Sequence, residues 1–240
     1  MDFLMKYIRH IVLWLSVLTI VAIYISSTMS ALPLTAQYTR IVEIYGLTAL
    51  WLLYLALLAT PLTQVFPTMP YRALYLKSRR ALGVSVFFFG LFHGGIAFFF
   101  LFGGLPGLSF LVPPYTNAFI IAVAALLILA TMAATSFDSM VIRLGKWWKR
   151  IHRLVYLAGV FILIHALIFG RDFQRGLADS NTQLLLLAVV ILLALQSLRL
   201  HRYFLRKYPA VSPGIFTGAT AMLFLGISVY FYIALQGIGV

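Results

Sequence analysis

WWKRIHRLVYLAGVFILIHALIFG (Trp147–Gly170) opens with three positive charges and then turns almost wholly apolar, yet it keeps two histidines, His152 and His165, thirteen positions apart. A stretch of about 20 apolar residues is what an α-helix needs to cross a bilayer. An ionisable side chain inside such a stretch is costly and marks function by default. The fold therefore turns on whether the rest of the chain reads as membrane spans.

It does. Of the 240 residues, 63% are hydrophobic and 10% charged, against about 45–50% apolar and 25% charged in soluble domains. Seven apolar runs follow one another, at 8–30, 42–66, 81–103, 116–136, 151–170, 182–200 and 213–236. None alternates polar with apolar as a β-barrel strand would, and no internal repeat or soluble domain separates them. The first run outlasts a signal-peptide core and has no small-residue cleavage site, so it reads as a retained span. The expectation is an all-α integral membrane protein forming a single transmembrane domain over 1–240: a six-helix bundle and a seventh, C-terminal span.

The net charge of +13 does not point to nucleic acid, because the cations fall between the apolar runs, on membrane-flanking loops. With the N-terminus in the cytoplasm, 15 of the 18 Lys and Arg face inward, and only Arg40, Arg171 and Arg175 face out. That is the positive-inside pattern. It predicts a multi-pass protein of the bacterial inner (plasma) membrane with its C-terminus outside. With no cysteine, thiol catalysis, iron–sulfur clusters and disulfides are excluded.

Five histidines remain to be explained. His201 sits in the basic stretch LRLHRYFLRK, and His10 begins the first span beside Lys6 and Arg9; both read as interfacial. His93 and His165 lie deep in spans three and five. His93 is thirteen residues beyond Arg80 and His165 fifteen beyond Arg150. At 1.5 Å per residue both lie roughly 20 Å above the cytoplasmic boundary, on parallel helices. The bland alternative is an interhelical hydrogen bond for each. Their matched depth points instead to a haem held between them, with one imidazole on each face of the iron. Such ligation leaves no open position and suits electron transfer. Gly90, Gly94 and Gly95 around His93 would let a macrocycle, or equally another helix, approach the backbone.

His152 would lie roughly 20 Å below His165 on the same helix, rotated about 140° away. It is a candidate ligand of a second haem nearer the cytoplasm, with His10 as an unusual partner, or a contact for a flavin, a quinone or a propionate. Arg171, six residues beyond His165, is placed to pair with a haem propionate about 9 Å further along if the helix continues. Arg40 and Arg175 are lesser candidates for that role.

RLGKWWKRIHRLVYLAGVFILIH, with GLTALWLLYLALLATPL in span two, SRRALGVSVFFFGLFH into span three and ATSFDSMVIRLG before span five, resembles the ferric-reductase-like transmembrane domain. The nearest branch is the MsrQ family, haem-binding membrane subunits of bacterial protein-methionine-sulfoxide reductase systems. The resemblance covers about residues 40–172. It implies a six-helix core binding haem b, with His93, His152 and His165 at the motif histidines, and FMN as an associated cofactor for which no motif is matched here. It also implies an electron-transfer subunit rather than a stand-alone enzyme. Electrons would come from quinol or a cytoplasmic flavin reductase and pass to a periplasmic molybdoenzyme that reduces methionine sulfoxide. Two departures stand out: PPYTNAF (113–119) lacks the family's Arg, and 213–236 has no counterpart among the six helices. Competing readings are a ferric reductase or oxidase core served by a separate flavin partner, and a transporter with structural histidines. The transporter would call for intramembrane acids, and Glu43, near a span end, is the only candidate.

Overall fold

The computed structural model describes residues 2–173 and 176–209, together with 214–215, 217–219, 221–222 and 225–226. The protein is all-α, with no strand among the described residues. Six helical stretches are long and apolar enough to cross a membrane: Asp2–Thr28, Leu34–Val65, Arg72–Leu101, Pro113–Ala134, Lys146–Phe169 and Ser180–Lys207. The expected span at 213–236 falls largely outside the described residues, as does Arg175.

The helices are longer at their charged ends than hydropathy predicts. α1 is Asp2–Thr28, α2 Leu34–Val65 and α3 Arg72–Ile96, which runs on into a π-helical turn, Ala97–Leu101. Lys6 and Arg9 thus lie on α1, and Arg72, Lys77, Arg79 and Arg80 on α3, rather than on the loops expected of them. Arg40, expected to precede span two, is on α2. The reason is that long cationic side chains can lie along apolar surface and still place their charge in water, so a helix need not stop where the hydrocarbon does. A short helix α4 (Leu105–Leu108) and α5 (Pro113–Ala134) follow, then α6 (Asp138–Leu144), α7 (Lys146–His152), α8 (Val155–Phe169) and α9 (Ser180–Lys207).

The fifth span is not one helix. Between α7 and α8 the chain tightens at Arg153 and Leu154, whose amides bond three residues back, to Arg150 O at 3.2 Å and Ile151 O at 3.0 Å. The rotation expected between His152 and His165 on one straight helix therefore does not apply. At the far end α8 stops at Phe169. Gly170 is extended (φ −72°, ψ 112°), and Arg171 opens a separate 3-10 turn, Arg171–Phe173. The helical extrapolation from His165 to Arg171 fails for that reason.

The chain forms two compact units: Met1–Ala56 with Ala73–Gly170, and Leu57–Arg72 with Arg171–Val240. In the first, Ile41, Tyr45 and Ala49 of α2 and Phe89 of α3 form a buried cluster, with Ile20 and Ile23 of α1 against it. Tyr45 donates its hydroxyl to Ile20 O (2.8 Å). Ser16 donates to Ser85 Oγ (2.7 Å), which donates in turn to Ala81 O (3.0 Å). Ala118 and Ala125 of α5 and Ala158 of α8 are buried; small side chains let membrane helices approach closely. In the second unit the last carbonyls of α2, which have no partners within the helix, are taken by arginines. Arg202 donates to Gln64 O and Val65 O at 3.0 Å each, and Arg72 to Thr63 O at 3.1 Å.

Candidate haem site

His93 lies near the end of α3, just before the π-helical turn, and His165 near the end of α8. Their ring centroids are 5.9 Å apart with the planes at 88°. Each ring is oriented by a main-chain oxygen from another helix. His93 Nδ1 lies 2.8 Å from Val42 O on α2, and His165 Nδ1 lies 3.3 Å from Ala118 O on α5. A carbonyl can only accept, so both Nδ1 atoms carry the proton. Both Nε2 atoms are therefore left with a free lone pair, the tautomer a metal requires.

The fit to an iron between the rings can be tested on distance. An imidazole nitrogen sits about 2 Å from a first-row metal, so two rings on opposite sides of one ion have centroids about 6 Å apart, and the observed separation agrees. Aromatic side chains close one side of His165. Phe169 is 5.2 Å from its ring, Tyr115 lies 5.2 Å from Phe169, and Phe102 and Phe119 continue the wall. Such a lining suits a flat apolar macrocycle.

One residue that the sequence reading missed explains how the His93 ring fits. A Cβ on Gly46, one turn after Val42, would lie 2.9 Å from both Cε1 and Nδ1 of His93. Only glycine leaves room for the ring to reach the Val42 carbonyl. Its signal in the sequence is a lone glycine in the apolar run IYGLTALW, which says nothing of its partner. Around His93 itself, a Cβ on Gly94 or Gly95 would meet nothing within 4 Å, while one on Gly90 would touch Leu126 at 3.6 Å.

His152 is elsewhere. Thr135 donates its hydroxyl to Thr131 O (2.8 Å), so the 3.2 Å contact between Thr135 Oγ1 and His152 Nε2 has the imidazole N–H donating. The ring stacks on Trp148 (4.1 Å, 27°), whose indole N–H donates to Thr135 O (2.9 Å). Arg80 lies over the other ring system, 5.5 Å from the Trp148 centroid. It also pairs with Asp138, to which Arg9 donates at 3.1 Å. Arg80, and to a lesser degree Arg9, hold the Asp138 carboxyl below its ordinary pKa. Among the described residues no three His, Asp or Glu side chains gather as a metal site. His10 is exposed on α1 and His201 half-buried on α9. Arg171 is exposed and belongs to the other compact unit.

The family model described as ferric reductase like transmembrane component matches residues 44–165, which include the three candidate histidines. The chain belongs to this ferric-reductase-like family. Relatives within it carry the name protein-methionine-sulfoxide reductase heme-binding subunit MsrQ. The chain is 33% identical to that of Cronobacter sakazakii over 127 residues, 51% of this chain and 60% of the relative. It is 32% identical to that of Agrobacterium fabrum over 127 residues, 51% of this chain and 55% of the relative. With that of Brucella ovis it shares 30% identity over 173 residues, 71% and 72% of the two chains. The first two matches thus span less than two thirds of those relatives' own length. No solved structure matches the chain.

Proposed function

We propose that the protein is a haem b electron-transfer subunit, with residues 40–172 as its haem-binding core and His93 and His165 as the axial ligands of one haem. The observation that carries this reading is the pair of imidazoles 5.9 Å apart, each held by a carbonyl in the tautomer that frees Nε2. Bound between them, haem supplies a one-electron carrier. The protein's part is to hold the two rings at fixed distance and keep both protons on Nδ1, so that His93 and His165 would both hold the iron and leave no position open for substrate. The chain is then a relay rather than a site of substrate chemistry.

Electrons enter on the cytoplasmic side, where the cations and the His152–Trp148 stack lie, from quinol or a flavin reductase. They leave toward a periplasmic acceptor, a molybdoenzyme that reduces methionine sulfoxide. The names of the relatives support a methionine sulfoxide reductase as the partner, and the cation distribution supports the inner membrane with the N-terminus inside. The test is the visible spectrum of the purified protein. A reduced low-spin b-type spectrum is expected in the wild type and is lost in His93→Ala and in His165→Ala, with both variants still inserted. Retention of the full spectrum in both variants overturns the assignment.

A further inference from the structure

Gly145, with φ of 49°, is the single residue that joins α6 to α7. Beside it lies a cavity of about 500 Å³ lined by Gly145, Lys146, Lys149, Arg150 and Arg153. The lining carries four cations and no carboxylate. The neighbouring acid, Asp138, is committed to Arg9 and Arg80. Four like charges around one hollow repel, so the arrangement is stabilised by whatever anion enters it.

The surroundings identify what kind of anion. Its lining lies at the start of the apolar stretch Lys146–Phe169, after the preceding one has ended at Ala134, and cations at the end of a span are placed to meet lipid headgroups. Phe137, Ile142 and Trp147, near the lining residues in the sequence, are 67%, 84% and 62% exposed. Trp147 also holds Arg150 over its ring at 4.5 Å; tryptophans of this kind anchor at the membrane–water interface. Cations with large bare apolar side chains beside them suit an amphiphile better than a soluble acidic partner. We propose that this cavity binds the phosphate headgroup of an anionic phospholipid, whose acyl chains run past Ile142 and Trp147. The phosphate oxygens accept from the lysines and from the guanidinium groups, which are shaped for phosphate.

The site is independent of the haem reading, and its test involves no haem. The 240-residue chain in mild detergent is titrated with phosphatidylglycerol and with phosphatidylcholine, and bound lipid is counted by native mass spectrometry. Phosphatidylglycerol is expected to bind at least about tenfold more tightly. A cation near an anionic lipid is worth about 1 kcal/mol, so the double variant Lys149→Gln, Arg153→Gln should weaken phosphatidylglycerol about thirtyfold and leave phosphatidylcholine unchanged. Equal affinity of the wild type for the two lipids overturns the proposal, and so does undiminished phosphatidylglycerol binding by the variant. Inorganic phosphate binding as tightly as phosphatidylglycerol would reveal a free-anion site, and tighter binding of polyglutamate an acidic protein face; either result also overturns it. If the variant fails to fold, the wild-type comparison between the two lipids still decides.

Discussion

Gly46→Ala should separate haem binding from protein stability. The added Cβ would sit 2.9 Å from Cε1 and Nδ1 of His93, whereas carbon atoms in contact rest about 3.5–4.0 Å apart. The ring must retreat by roughly 0.5–1 Å. Its 2.8 Å bond to Val42 O then stretches to about 3.3–3.8 Å, at or past the limit of a hydrogen bond. Losing that bond costs about 1 kcal/mol, and an off-rotamer ring about as much again. Replacing glycine by alanine inside α2 gives back about 1 kcal/mol of helix propensity. The protein without haem should therefore melt within a few degrees of wild type. Haem affinity behaves differently, because groups that orient a metal ligand typically govern about 10–100-fold of the affinity. The assay is haem titration of the apoprotein, followed by absorbance, beside a thermal melt of the same sample. Gly83→Ala is the control: it lies on α3, and its Cβ would meet nothing within 4 Å, so it should bind haem as wild type does. Wild-type haem affinity in Gly46→Ala would refute the argument that this glycine admits the ligand.

Three further outcomes are expected. His152→Ala should keep the haem of His93 and His165 but slow its reduction by a cytoplasmic donor, since it removes the ring stacked on Trp148; unchanged stopped-flow kinetics would exclude a redox role for His152. Arg171→Gln should lower the haem midpoint potential if this arginine pairs with a propionate, because a nearby cation favours the electron-rich form; a redox titration giving the wild-type value or a higher one rules Arg171 out. Asp138 has a depressed pKa in the folded protein, chiefly through Arg80. The stability it contributes is complete above its ordinary value of 3.8 and is lost as pH falls through the lower folded value. The carboxylate is largely exposed, so the effect is at most about 1 kcal/mol. Melts between pH 3 and 6 should show an acid-side loss in wild type that Asp138→Asn lacks, and identical slopes would refute it.

The membrane-spanning character of the chain was legible because apolar run length reports directly on the bilayer. The two deep histidines were legible because a polar group is conspicuous in such a run. Helix ends were not, since cations at Arg72–Arg80 read as loop although the helix carries on beneath them. The break at Arg153–Leu154 left no mark because neither residue is a glycine or proline. Gly46 could be seen but not interpreted: its partner, His93, is brought to it only by the packing of α2 against α3. Arg9 and Asp138 are 129 positions apart, and no local pattern connects them.

The orienting groups of both candidate ligands are peptide oxygens, at Val42 and Ala118. A genetic search for colourless variants would miss them, because no codon change deletes a carbonyl. Such a search would recover the histidines themselves and the neighbours whose bulk displaces a ring or a helix, with Gly46 foremost. The mutational map of this site would thus show a blank at Val42, where one of its strongest polar contacts is made. Drift in side-chain identity there could proceed for as long as α2 keeps its path.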